Sequence, residues 1–218
     1  FLFYSFEVGV SSFIILHHSE GYLITPEVLP YGEYSLVEVQ APYGYALDKT
    51  PVAFSVSSEN AEKENSLTIV KVVKQNTAQK GKISVQKTGD IFTSVTTASS
   101  AYTNENGEMI VNPTTYTPVF ANGDLSGAVF QITAKEDIVT LDGTIRAYAG
   151  DVVSEITTDE NGYAETEPLY LGKYEVRETK APYGYVLNNK PKDVELTYAG
   201  QEFEVRDTVN TAFENEYQ

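Results

Sequence analysis

Apolar and polar residues alternate along most of the chain with a period of two, the spacing that sends successive side chains to opposite faces of a strand. KISVQK (82–87), GAVFQI (127–132) and VELTY-AG-QEFEV (194–205) follow it, the last reading as two strands joined across Ala-Gly. Between such segments lie the turn formers NENGE (104–108), ANGD (121–124) and DENGY (159–163). No long stretch keeps a helical period, so the chain is predicted to be all-β, with short strands at the spacing of an antiparallel sandwich or barrel. The opening FLFYSFEVGVSSFIIL is strand material as well. It lacks a basic leader, carries Glu7, and falls short of the roughly 18 uncharged residues of a membrane span.

A second pattern is the repeat of EYSLVEVQAPYGYAL (33–47) as KYEVRETKAPYGYVL (173–187). Aligning the two boxes also aligns Leu29 and Gly32 with Leu169 and Gly172, SEGY (19–22) with ENGY (160–163), and QNTAQ (75–79) with ENEYQ (214–218). A boundary near Gln79 divides the chain into modules 1–79 and 80–218. Residues 1–76 match about 139–215, so the first module is expected to be incomplete, its C-terminal part only, without the opening strands that the second carries at 82–134. Gln218 falls where Gln79 falls, the point at which a further module would begin. Residues 91–124, rich in Thr, Ser, Asn, Gly and Pro, are too long for a simple connection and read as an insertion, either a surface decoration or a binding loop. In each APYG box, Pro42 or Pro182 as the second turn residue and Gly44 or Gly184 as the fourth suit a type I turn.

Parity within the repeated strand raises a chemical question. Tyr174, Val176 and Glu178 share one face, Glu175, Arg177 and Thr179 the other, so Glu178 joins the apolar face. Glu38 does the same beside Tyr34 and Leu36. A carboxylate facing a core needs partners. In the opening strand of the second module Lys87 shares parity with Ile83 and Val85; in its last strand Asn215 shares parity with Phe213 and Tyr217. Desolvation disfavours the charged forms of both an amine and a carboxyl. A neutral Lys87 Nζ could then attack the side-chain carbonyl carbon of Asn215 while Glu178 polarises that carbonyl and carries protons to departing ammonia. The product would be a Lys–Asn isopeptide bond. A buried ion pair without covalent chemistry is the other reading of the same three residues.

Charge and composition narrow the function. A net charge of −16 over 218 residues argues against nucleic acid and anionic membranes as partners. With no cysteine there is neither a disulfide nor a thiolate metal site. His17 and His18 are adjacent and would point to opposite faces of a strand, and the DENG and NENG turns lack the ligand spacing of a calcium loop. No metal or cofactor is assigned. A glycosidase reading fails because no His, Ser or metal constellation supports it and the repeated acids face a core too small for a sugar.

Taken together, QKTGD with Lys87, LSGAVFQI (125–132), TDENGY (158–163), LYLGKYEVRETKAPYGY (169–185) and FENEY with Asn215 resemble the Cna B-type or SpaA-like, prealbumin-like modules of Gram-positive surface adhesins and pilins. The resemblance implies tandem prealbumin-like (reverse-Ig) β-sandwich modules, the first truncated at its N-terminus. It implies an internal crosslink between Lys87 and Asn215 with Glu178 as its catalyst, and otherwise no enzyme. In the first module only Glu38 and Asn76 match, a vestigial or incomplete site in which no bond is expected. The implied role is a stalk segment of an extracellular, cell wall-anchored protein whose partners are adjacent modules. The alternative is a ligand-binding module that recognises host matrix protein or glycan through 91–124 or the Tyr-rich loops.

Overall fold

The computed structural model describes residues 3–8, 11–16, 22, 24–25, 28–59, 62–64 and 67–217. His17, His18 and most of SEGY (19–22) lie outside the described residues. The chain is all-β. Its first region contains β1 (Phe3–Val8), β2 (Ser11–Leu16), β3 (Gly32–Gln40) and β4 (Val52–Val56), followed by a ribbon of β5 (Glu62–Glu64) and β6 (Leu67–Ile69). The second opens with β7 (Lys80–Gly81), β8 (Ile83–Ala98), β9 (Ala101–Thr103), β10 (Met109–Val111), β11 (Thr115–Asp124), β12 (Val129–Ala134) and β13 (Ile138–Val139). It continues through β14 (Ile145–Ala147), β15 (Val152–Thr157), β16 (Tyr163–Glu165), β17 (Leu169–Tyr170), β18 (Gly172–Lys180), β19 (Lys192–Leu196) and β20 (Val209–Asn215).

The core lies in the second region, between an antiparallel sheet ordered β15-β12-β18-β19 and a sheet built on β8. Strands β11 and β16 pair with successive stretches of one edge of β8, while β20 runs parallel along the other. Alternation sends Ile83, Val85 and Phe213 inward from the β8 sheet and Phe130, Ile132, Tyr174 and Val176 from the other, all buried. The Phe130 and Phe213 rings meet with centroids 4.8 Å apart. Each such side chain stabilises the fold by about 1.5–3 kcal/mol through the apolar surface it removes from water. The first region has a thinner core, with Leu36 buried against Leu29, Val52, Phe54 and Val72.

Four readings of the sequence need correction. The first sheet, ordered β2-β1-β3-β4, repeats the order β15-β12-β18-β19, and β1 pairs Tyr4 with Glu38 as β12 pairs Phe130 with Glu178. The opening residues therefore occupy the place of β12, one of the strands thought missing. The alignment slid because the excursion that carries β13 and β14 between β12 and β15 has only a short counterpart between β1 and β2. Next, the box turn is offset by one residue. Tyr45 N–H donates to Pro42 O at 3.1 Å and Tyr185 N–H to Pro182 O at 3.2 Å, leaving Gly44 (φ 85°) and Gly184 (φ 86°) third. A positive φ at the third residue is the type II requirement, which glycine meets without strain.

Third, no hairpin forms across Ala199-Gly200. Strand β19 ends at Leu196, and the segment 197–204 gives its backbone groups to the first region and to Gln79 instead. Finally, the strand expected at 82–87 does not end there. It runs 16 residues to Ala98 and pairs with β11, so that 91–124 forms a two-stranded arm with the β9–β10 hairpin beyond it.

Candidate functional site

Strands β8 and β20 are hydrogen-bonded neighbours whose register sets Phe213 opposite Lys87 and Asn215 opposite Gly89. Lys87 and Asn215 are thus diagonal neighbours on the inward face, within reach of long side chains. Glu178 comes across the sandwich from β18. Lys87, Glu178 and Asn215 are 0%, 1% and 3% exposed. The Lys87 Nζ donates to Asn215 Oδ1 at 2.5 Å, lies 3.4 Å from Glu178 Oε1, and that same oxygen accepts from Asn215 Nδ2 at 3.0 Å. One carboxylate oxygen therefore faces both nitrogens between which protons must pass if an amine is to replace an amide nitrogen. Tyr217, grouped with Asn215 by parity, lies beyond the strand end and is half exposed.

The surrounding backbone fixes each member. Lys87 N–H donates to Gly162 O at 2.7 Å and Lys87 O accepts from Leu125 N–H at 3.0 Å, clamping the lysine between the TDENGY turn and the LSGA segment. Gly162 has φ 68°, and a Cβ there would stand 2.3 Å from Lys87 O, so only glycine permits the approach. Glu178 Oε2 accepts from Asn188 N–H at 2.7 Å, and Asn188 Nδ2 donates to Glu214 O at 3.0 Å, which ties the acid to the strand carrying Asn215. Burial pushes the Lys87 amine below the ordinary lysine value, against the opposing pull of Glu178. Only the neutral amine is nucleophilic, and burial favours that form.

The chain matches the SpaA prealbumin-like fold domain over residues 15–71 and 119–210. It belongs to that family. Among solved structures, the TIE protein of Bacillus anthracis superposes with a TM-score of 0.55 at 20% identity, covering 99% of this chain and 31% of that one. GBS52, the minor pilin of Streptococcus agalactiae, gives 0.37 at 15% identity over 100% and 83%. The major pilin SpaD from Corynebacterium diphtheriae gives 0.37 at 23% identity over 64% and 30%. The chain spans about a third of the length of the TIE protein. No curated protein matches it.

Within this SpaA-family chain, the first region assembles only part of the arrangement. Glu38 is fully buried, and Asn76 Nδ2 donates to both of its oxygens at 2.8 Å while also reaching Ala46 O at 3.2 Å. Asp48 N–H donates to Glu38 Oε2 at 3.0 Å, the counterpart of Asn188 on Glu178. Among the described residues no strand stands where β8 stands in the second region, and the donors to Glu38 are the Asn76 amide and the Asp48 backbone rather than an amine. The nearest lysine in sequence, Lys74, is bound at 2.9 Å to Asp48, whose carboxyl is held at about 2 by hydrogen bonds from Thr50 and then Lys74.

Sequence reasoning passed over Gly162, Leu125 and Asn188. Asn188 had a signal: it aligns with Asp48 one step after the repeated box, and both residues give a backbone donor to the box acid. Leu125 and Gly162 act through backbone atoms, which side-chain chemistry does not reveal. Among the described residues no cluster of three or more His, Asp or Glu is arranged to hold a metal.

Proposed function

We propose that the chain is a stalk segment of a Gram-positive cell-surface adhesin or pilin, extracellular and anchored to the cell wall. It consists of two tandem modules, 1–79, incomplete, and 80–218. The second staples itself by an autocatalytic isopeptide bond between Lys87 and Asn215. The observation that carries this reading is the contact of Lys87 Nζ with the Asn215 side chain, with Glu178 Oε1 against both residues in a site closed to water.

In the proposed reaction the Glu178 carboxylate takes a proton from the Lys87 ammonium. The neutral Nζ attacks Asn215 Cγ, and the C–Nδ2 bond breaks. Glu178 delivers that proton to Nδ2 and takes the second proton that Nζ sheds on becoming an amide nitrogen; the leaving nitrogen departs as ammonia and carries the second proton away as ammonium. An ammonium and a primary amide thus become a secondary amide and ammonium, with no outside reagent. Fixed neighbours in such a site can reach effective molarities of about 10⁵ M or more, which is how folding alone would supply the catalysis. Glu38 and Asn76, without a nucleophile, remain a hydrogen-bonded pair.

The position of the bond suits load bearing. Strands β8 and β20 run parallel, so tension on the module enters at the start of one and leaves at the end of the other, shearing their ladder. A covalent link between positions 128 residues apart would take that tension. Pulling single chains by their termini tests the reading. The segment 87–215 should never lengthen; a gain of about 3.6 Å for each enclosed residue would contradict it.

A further inference from the structure

The two PYGY turns carry the same residues but differ in what covers them. At the first, segment 197–204 lies on the turn. Leu47 N–H donates to Gln201 O at 2.8 Å, Ala41 N–H donates to Gln201 Oε1 at 2.9 Å, and the Tyr43 and Tyr198 ring centroids are 4.7 Å apart. Gln79, itself buried, holds the segment from behind: Nε2 donates to Gly200 O and Phe203 O, and Oε1 accepts from Ala199 N–H. Among the described residues no such segment lies on the second turn. Tyr183 is fully exposed, Val186 and Leu187 are nearly half exposed where Ala46 is buried, and the Leu187 N–H, counterpart of Leu47 N–H, has no partner among the described residues.

Beside this turn rises the arm. Strand β20 ends opposite Gly89, while β8 runs on through 90–98, about 30 Å at the usual rise per residue, with no partner on the β20 side among the described residues. The arm's larger apolar side chains gather on one face. Its register pairs Phe92 with Phe120, Val95 with Pro118 and Thr97 with Tyr116 there, alternating with Ile91–Ala121, Ser94–Val119, Thr96–Thr117 and Ala98–Thr115 on the other. The apolar face begins at the turn: ring centroids run from Tyr185 to Tyr217 at 5.6 Å, from Tyr217 to Phe120 at 5.2 Å, and from Phe120 to Phe92 at 6.0 Å. Exposed apolar surface in a continuous strip marks a site of association.

We propose that the second PYGY turn and the apolar face of the arm together seat a further prealbumin-like module, an inference that rests on the stalk reading and names its neighbour. The incoming module lays its own counterpart of segment 197–204 on the turn, as the second region does on the first, and packs its flank along Phe92, Val95 and Phe120. The occupant follows from the internal joint, where the same box receives just such a segment.

Gln218 is the sequence counterpart of Gln79, so appending a second copy of residues 80–218 after Gln218 preserves the length of the natural connection. Hydrogen exchange at Ala181 and Leu187 should slow about tenfold relative to the 218-residue chain, the effect of a hydrogen bond of ordinary net strength. Gln201→Ala in the appended copy alone should restore fast exchange at Ala181, whose counterpart Ala41 bonds the side-chain Oε1, and leave Leu187 slowed, whose counterpart Leu47 bonds the backbone oxygen; Phe120→Ser in the first copy should weaken the slowing. The proposal is overturned if both amides exchange at the old rate while the appended copy's core amides are protected, or if the slowing at Ala181 survives Gln201→Ala. It is also overturned if the 218-residue chain dimerises in sedimentation and Phe120→Ser abolishes the dimer, for then the strip pairs two copies of the chain. Failure of the stalk reading would register separately, in the pulling traces of the 218-residue chain.

Discussion

The two box acids share nearly everything except a neighbour. Glu38 and Glu178 each end an inward-facing row of a nine-residue strand, each is buried, and each accepts a backbone N–H from the residue ten positions on. In the first region one amide group grips both oxygens of Glu38. In the second the carboxylate is shared, and the amide carbonyl turns to an amine brought in on β8. Burying an acid against an asparagine thus makes a satisfied hydrogen-bonded pair. In the proposed reading, a third strand that adds a desolvated lysine is what gives the pair a reaction to perform.

The contrast is broken most severely by removing that lysine. Lys87→Ala is expected to lose the covalent link and with it about 5 kcal/mol, if the loop-closure entropy of a crosslinked chain applies to this large loop. Urea unfolding monitored by the Tyr signal of the second region measures it, and a loss below about 1 kcal/mol would contradict a crosslink. Gly162→Ala should cost about 1–3 kcal/mol, since the new Cβ collides with Lys87 O in a left-handed conformation. It should also leave part of the chain unlinked on a denaturing gel.

Asn215→Ala leaves Lys87 unlinked, with its amine below the ordinary lysine value of 10.5 because of burial. The unfolded chain then binds more protons than the folded one in the window between the lowered value and 10.5. Stability of this variant should therefore rise with pH across that window, no more steeply than about 1.4 kcal/mol per pH unit. A fall would show that the amine is favoured in its charged form. Asn76→Ala should cost about 1–3 kcal/mol, since Glu38 Oε1 loses its donor in a buried site while Oε2 keeps its bond from Asp48. It should not change the covalent state of the chain.

Much of this arrangement was legible because parity is a strong constraint on a half-buried strand. Tyr174, Val176 and Glu178 must face one way, and so must Ile83, Val85 and Lys87. What parity cannot report is the partner of a backbone group. The offset turn at Pro42–Tyr45, the clamp on Lys87 by Gly162 and Leu125, and the docking of 197–204 are all backbone matters. The arm was hidden by its composition: TSVTTAS (93–99) looks like linker by polarity, yet its β-branched Thr and Val suit a solvated two-stranded ribbon. The role of β1 was concealed because the aligned copies differ in length between their first two paired strands.

Intact mass of the folded chain, followed by mapping of its peptides, tests the central claim most directly. The account predicts a mass lower than the sequence requires by one ammonia, with the peptide carrying Lys87 joined to the peptide carrying Asn215, and the full sequence mass for Glu178→Gln. A parent chain of full mass, with the Lys87 and Asn215 peptides recovered separately, would contradict it.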